Sequence, residues 1–520
     1  MALLDQVAAF EGSYLDYSDY ISSYNNLRGA REVTVDYLVV GSGAGGAALG
    51  AELAELGQEV LMVEAGGYFP LKYLNHNLMD MMSMLAWDEA NSGASDGSLR
   101  ALHGRCVGGS TVLHMLTMTQ IPSHRLASWV SDRGLSSMSE EALAPIVSKI
   151  KQRMNIKPID KSQINKNAHA WVNGCESLGY YWKLNERNGG QCIGAGRCHT
   201  GCPYGGKVSS DVSFVPRGLA AGMQLFTDVM VDRLEVSGDK VSKVHCRVLH
   251  RKSREVVGKL IVRANKVVIA GGALQTPALL MRSGLHKKNQ WVGKQAAVQP
   301  GINIIGLFDY EIHPWRGITN PIHIDEWSSR RKGAFFIEPG MLDPSIIGDF
   351  VPGAGKEHFE RMSQFRRMSG GQILMMDSPH QNRVTLTKQG KPSLEFQVGG
   401  DAPNYRFAMK KAAEILLTAG AKEVYIGQRR PLVIRHESDL SQIDAITFGK
   451  SDFHWETVHL HATCPMGRSP ELGAVDEDGR FFGVENLYLA DASILPSGIC
   501  ANTTVPAATM GIKVARGLVS

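Results

Sequence analysis

Residues 36–66, DYLVVGSGAGGAALGAELAELGQEVLMVEAG, decide the fold class of the chain. Asp36–Val40 is a short apolar, β-branched run of the kind that forms a buried parallel strand. It enters Gly41-x-Gly43-x-x-Gly46 directly, and the helix-forming stretch from Ala47 to Leu56 follows, stopped by Gly57. A second apolar strand, Val60–Val63, ends on Glu64. Gly41 allows the tight turn, Gly43 lets backbone approach a pyrophosphate, and Gly46 lets helix and strand pack closely. The helix N-terminus offers free N–H groups and a positive dipole end to phosphate. Glu64 stands where a carboxylate accepts hydrogen bonds from ribose hydroxyls. A GxGxxG alone is weak, but placed between two strands and closed by an acid it reads as a dinucleotide site.

Composition excludes several other classes. At 520 residues the chain can bury a large core in more than one folding unit. Hydrophobic content of 43% with 20% charged residues is ordinary for a globular protein. A net charge of +4 gives no electrostatic footprint for nucleic acid. No apolar run reaches membrane-spanning length. Residues 1–33 are polar and tyrosine-rich and read as a surface arm without signal-peptide features, so a cytoplasmic location is the default expectation.

Further along, 78–85 reads as a methionine-rich helix and 138–153 as a helix carrying Glu140, Glu141 and Lys149. Leu225–Val231 reads as a strand, Lys243–Leu249 and Lys259–Val262 as a hairpin, and Lys266-VVIAGGALQTP as a strand-to-helix turn. A last apolar strand, Asn486–Ala490, precedes a terminal helix from about Pro506. Nucleotide-type strands thus occur near the N-terminus, near 260–275 and near 486–491. That return pattern predicts a large cofactor wrapped by separate segments. Residues 301–450 mix aromatics, Pro and Gly, which suits a sheet-based cap over a substrate pocket.

Four blocks together make residues 34–520 resemble the glucose–methanol–choline (GMC) flavin oxidoreductases. They are the fingerprint, Gly104-RCVGGSTVLH-Met115, Gly272-ALQTPALLMRSGL-His286, and His459-LHATCPMG through Asp491-ASILPSGICANTTVPA. Met118 and His286 depart mildly from the family's pattern. The resemblance implies an α/β fold with a discontinuous Rossmann-like FAD-binding domain, in segments 34–130, 205–300 and 452–520. A sheet-based substrate-binding cap is expected from 131–204 and 301–451, beside the arm 1–33. In the second block Arg105, Gly108, Gly109, Ser110 and His114 match flavin-contacting positions. Leu113 stands where some members carry a histidine bonded covalently to flavin, and this implies non-covalent FAD, although His103 and His114 lie close by. Asp491 matches a residue near the ribityl–pyrophosphate region, Val231 one whose backbone meets adenine, and Thr503 belongs to the same terminal cofactor block.

The terminal block also carries the chemistry implied by the resemblance. His459 stands four residues before Thr463, at the position of the family's flavin-facing histidine, and Asn502 stands eleven after Asp491, at that of its partner. Oxidising an alcohol means removing its hydroxyl proton and passing hydride from carbon to flavin N5. An imidazole suits proton removal, and a neutral amide can hold the substrate oxygen. His461 is the rival base, since an extended segment places it on the same face as His459.

Cys192, Cys198 and Cys202 form the branch point. Their segment, Gln191-CIGAGRCHTGCPYGG-Lys207, resembles two GMC branches. In one, of long-chain-alcohol and related oxidising enzymes, a GCPxGxK segment is structural. In the other, of bacterial sugar dehydrogenases, three cysteines carry a 3Fe–4S cluster. The expectation is no metal, with the cluster as the alternative. The function expected is FAD-dependent oxidation of a CH–OH group in a sugar, sugar-derived or other alcohol, with oxygen or an external acceptor. A catalytic subunit of an Fe–S dehydrogenase complex and a non-redox flavoprotein are the alternatives. Trp315, Trp327, Phe335 and Phe336 are residues that could stack a sugar ring.

Overall fold

The computed structural model describes residues 6, 14–329, 333–340, 343–378, 381–449 and 451–519. The opening motif folds as β1 (Gly29–Val40), α1 (Ala44–Glu55) and β2 (Val60–Val63), with β1 and β2 parallel. β2 is buried along its whole length, as an apolar strand covered on both faces must be. β3 (Val229–Ser237), β4 (Lys240–Leu249) and β5 (Val256–Ile269) form an antiparallel meander, whose last strand runs parallel to β1. α2 (Gly272–Arg282) follows β5 at once, as the strand-to-helix reading expects. The Leu225–Val231 stretch is split between a short strand, Gln224–Phe226, and β3, because Asp228 takes φ +62° between them.

β6 (Gly301–Leu307), β7 (Phe335–Glu338) and β8 (Met368–Met375) belong to a second, seven-stranded sheet. There β8 lies antiparallel between β6 and β7. The short strands Leu99–Ala101 and Trp455–Thr457 also join this sheet, although both come from segments expected on the nucleotide side. A large apolar cluster beneath it includes Trp171, Ile304, Phe335, Ile337 and Trp455. β9 (Leu487–Leu489) returns to the first sheet, parallel to the end of β5. α3 (Thr504–Val519) then packs on α1 so closely that a Cβ at Gly511 would meet the Gly45 carbonyl oxygen at 2.2 Å.

The first sheet starts further upstream than the apolar pattern suggests, with Gly29–Val33 already paired to β5. Where it is described, the N-terminal segment lies mostly at the surface and is anchored there by two buried residues, Tyr17 and Leu27. Tyr17 is 1% exposed, its hydroxyl donates to the Asp211 carbonyl at 2.7 Å, and Ile21–Ser22 add an edge strand. Stacking of Tyr17 on Tyr68 explains the burial, since a phenol can enter a core when its O–H finds an acceptor. Residues 1–5 and 7–13 of the expected arm lie outside the described residues. Among the described residues no helix is long and apolar enough to cross a membrane.

Candidate active site

The C-terminal ends of β1, β2 and β5 open onto a cleft with about 1280 Å3 of free space, the place where open α/β sheets bind ligands. Its walls include Gly41, Gly43, Glu64, Gly109, Ser110, Val231, Asp491 and Thr503 among the residues expected from sequence. Gly46, Arg105, Gly108, His114, His459 and Asn502 do not line it. Gly46 stands behind the wall, where a Cβ would lie 2.0 Å from the Gly41 carbonyl oxygen. At Gly43 the same construction meets nothing within 4 Å, so the backbone there is bare towards the cleft. The first N–H groups of α1 have no acceptor within the helix and border the cleft at Ala44 and Gly45.

Glu64 is already engaged by the protein. Its Oε2 accepts from Ser42 N (3.0 Å) and Ser42 Oγ (2.7 Å), and its Oε1 from Gly66 N (2.9 Å). Burial raises its pKa while these donors work the other way. Ser42 Oγ also accepts from Gly108 N at 3.1 Å, joining the second glycine block to the first. Arg105 is turned to Trp87, 5.3 Å from the ring centroid. Asp491 accepts from Gly272 N (2.8 Å), Thr276 Oγ1 (2.6 Å) and Ser493 N (2.7 Å), so one buried carboxylate ties the start of α2 to the terminal segment.

A bare glycine wall and free helix N–H groups at the cleft fit a dinucleotide. Leu113, without a nucleophilic atom, packs with Met81, Leu85 and Val112. His103 lines the cleft, and burial pushes its pKa down to about 4.

Beside the cleft, whose wall includes Thr457, Val458, Leu460 and Thr503, their chain neighbours His459 and Asn502 meet. Asn502 Nδ2 lies 3.2 Å from His459 Nε2 and donates to Glu338 Oε1 at 3.0 Å. Thr119 Oγ1 donates to Asn502 Oδ1 at 2.9 Å. A carboxylate can only accept, so this arrangement turns the amide N–H groups towards Glu338 and His459. His459 Nε2 then accepts, while its buried Nδ1 has no partner among the described residues. Burial pushes the His459 pKa down to about 4, with the Glu338 carboxylate opposing the shift. The ring is therefore neutral at pH 7.

His461 is held differently. Its Nδ1 donates to the His459 carbonyl at 2.6 Å, and its Nε2 accepts from Ile499 N at 3.1 Å. Both ring nitrogens are thus occupied by backbone. His114 Nδ1 likewise accepts from Leu116 N at 2.8 Å, and burial lowers its pKa strongly. Of the four aromatics, Trp327 and Phe335 stack on each other in the second core. Trp315 contacts Phe365 and His313, and Phe336 stacks on His323 with centroids 4.5 Å apart.

Glu338, Thr119 and Asn320 are site residues that the sequence reading missed. The available signal was a single acid closing the apolar run Phe335-Phe336-Ile337.

Cys192, Cys198 and Cys202 are all free thiols, and Cys198 Sγ lies 3.1 Å from Thr319 Oγ1. Among the described residues no three His, Cys, Asp or Glu side chains gather closely enough to hold a metal ion. The loop is pinned instead by Lys207, 2% exposed, whose Nζ donates to the carbonyls of Val112 (2.6 Å), His114 (2.8 Å) and Cys198 (2.5 Å). Burial lowers its pKa to about 8.

Residues 35–301 and 378–511 match the N- and C-terminal models of the GMC oxidoreductases. An uncharacterised GMC-type oxidoreductase of Sinorhizobium fredii is 26% identical over 510 residues, covering 95% of this chain and 96% of that one. A long-chain-alcohol oxidase of Arabidopsis thaliana is 26% identical over 511 residues, covering 91% of this chain and 66% of the relative. The crystal structure of a pyridoxine 4-oxidase from Mesorbium loti superposes with a TM-score of 0.69 at 19% identity, covering 93% of this chain and 99% of that one.

Proposed function

The chain belongs to the GMC oxidoreductases, and we propose that His459 and Asn502 carry out the alcohol oxidation performed beside its FAD cleft. As a family member it is an oxidoreductase of CH–OH groups with FAD as its cofactor. The observation that carries the reading is the 3.2 Å contact between Asn502 Nδ2 and His459 Nε2. It brings a neutral base and an amide donor together from segments whose neighbours wall the cleft.

FAD, when bound, supplies the acceptor for the hydride that leaves the carbinol carbon. The protein handles the proton. A substrate hydroxyl takes the place between the two side chains, its oxygen accepting the Asn502 N–H and its O–H pointing at His459 Nε2. The hydroxyl proton moves to Nε2 as the carbon loses hydride, so two electrons and two hydrogens leave the alcohol together. General-base assistance of this kind contributes about 10²–10⁴-fold. His461 lacks the lone pair for this role, because Ile499 N–H occupies it.

The glycine wall, the helix N–H groups and Asp491 hold the phosphates and ribityl chain, with Val231 at the adenine end. Leu113 supports FAD held without a covalent bond. Relatives named long-chain-alcohol oxidase and pyridoxine 4-oxidase support a small-molecule alcohol as substrate and oxygen as acceptor. The test is anaerobic mixing of the yellow protein with a panel of alcohols and sugars, including pyridoxine and a long-chain n-alkanol, followed by readmission of air. One or more should bleach the flavin, and air should restore it. A protein that neither carries nor takes up FAD would overturn the reading, and flavin remaining in an acid pellet would refute non-covalent attachment.

A further inference from the structure

Glu338 ends β7, where alternation places Phe336 and Glu338 on one face and Phe335 and Ile337 on the other. The second pair enters the core of the second sheet, while Glu338, 5% exposed, reaches the His459–Asn502 pair. Both oxygens of its carboxylate are engaged by the site's own groups: Oε1 accepts from Asn502 Nδ2 at 3.0 Å and Oε2 from Asn320 Nδ2 at 2.9 Å, and His323 Nδ1 stands 3.5 Å from Oε1. Phe336 stacks on His323 and so holds that ring beside the acid. Neither span that matches the GMC models contains Asn320, His323 or Glu338, which all fall between residues 301 and 378.

We propose that Glu338 is a positioning residue: its carboxylate fixes the Asn502 amide with an N–H towards His459 Nε2, and its charge steadies that ring as it takes up the substrate proton. This deepens the proposed function and rests on His459 as proton acceptor. Turning the amide over would present its oxygen to His459 and to the Glu338 carboxylate and carry the N–H₂ to the Thr119 hydroxyl. Leaving a buried carboxylate without its donor is strongly unfavourable. The ionisable groups around His459 are Glu338, His323, His461 and His114. Burial by itself would raise the Glu338 pKa, but His323, His459 and the Asn502 amide together hold it below the ordinary carboxylate value. It is thus the anion of the group.

The experiment is flavin reduction by an active alcohol, followed anaerobically across pH in the FAD-loaded protein. Glu338→Gln, nearly the same in shape, should slow reduction about tenfold, which corresponds to one pKa unit of lost interaction. The acid limb of the rate profile should move to lower pH, because the charge that favours protonated His459 is gone. Glu338→Asp should restore the limb while recovering only part of the rate. In an Asn502→Ala background, Glu338→Gln should slow reduction by much less than tenfold. FAD absorbance and melting temperature report folding of each variant. A limb that stays in place, with a slowing that simply multiplies that of Asn502→Ala, would show a structural role only and overturn the proposal. Unchanged reduction in Glu338→Gln would also overturn it, while leaving His459 as base. Normal reduction in His459→Ala would overturn the reading beneath it.

Discussion

The glycine cradle and the histidine–asparagine pair lie side by side but are built on opposite plans. The cradle is built on backbone glycines from two blocks in the first quarter of the chain, tied together through Ser42, whose Oγ reaches Glu64 across 22 residues and accepts from Gly108 N across 66. The pair is made from side chains brought together over long stretches, 43 residues from His459 to Asn502, 164 from Glu338 to Asn502 and 383 from Thr119 to Asn502. Under the proposed function the difference gives binding to one region and chemistry to the other. Damage to the cradle should loosen FAD. Damage to the pair should leave FAD in place and slow its reduction.

Lys207 bears on that division most heavily, because its ammonium ties the cysteine loop to the carbonyls of Val112 and His114 in the second glycine block. Lys207→Met removes the buried cation and leaves three carbonyls without their donor. It should cost about 3–5 kcal/mol of stability in denaturant melts, and FAD retention on gel filtration should fall with it. A variant of unchanged stability would show that the loop is held by something other than Lys207.

Gly46→Ala is expected to come next. The new Cβ meets backbone at 2.0 Å, and overpacking of this kind costs about 1–3 kcal/mol. FAD should dissociate more readily, while the flavin that remains bound should be reduced at nearly the normal rate. If reduction falls and binding does not, binding and chemistry are not separated as the comparison holds. Glu64→Gln should have a smaller effect, about 1–2 kcal/mol measured as melting of the FAD-free protein, because one of its three donors loses an acceptor.

The smallest effect concerns pH. Burial pushes His103, His199, His459 and His461 each to about 4. Unfolding restores the ordinary histidine value near 6.5, so between about pH 4 and 6.5 the unfolded chain binds more protons. Stability should rise with pH across that window and fall as acid is added. His199 lies outside both regions, and neither ring nitrogen has a partner among the described residues. His199→Leu should remove up to one proton from that slope, or about 1.4 kcal/mol per pH unit, with no change in flavin reduction. An unchanged slope would contradict a buried neutral His199.

The same contrast explains what the sequence disclosed. Gly41, Gly43, Gly46 and the flanking strands are legible because a turn, a bare backbone and a close approach each demand glycine at fixed spacing. His459 and Asn502 were found through motif positions rather than through physics, since nothing local marks two residues that meet only after folding. His461 could not be set aside from sequence, because the groups that occupy its ring, the His459 carbonyl and Ile499 N–H, include one from a distant turn. Glu64 was expected to face ribose, yet three of its lone-pair sites serve Ser42 and Gly66. Glu338 stayed hidden for the same reason as the pair: its function depends on partners at 320, 323 and 502. The anchoring of the N-terminal arm through Tyr17 was not legible because its acceptor, the Asp211 carbonyl, is 194 residues away.

His459 carries the central claim, and single-turnover flavin reduction by one active alcohol, in His459→Ala and His461→Ala side by side, measures it directly. His459→Ala should keep its FAD and reduce it about 10²–10⁴-fold more slowly than the unaltered protein. His461→Ala should lose stability through its two backbone hydrogen bonds and retain most of the rate per bound flavin. A near-normal rate in His459→Ala beside a silent His461→Ala would contradict the account and move the base to His461.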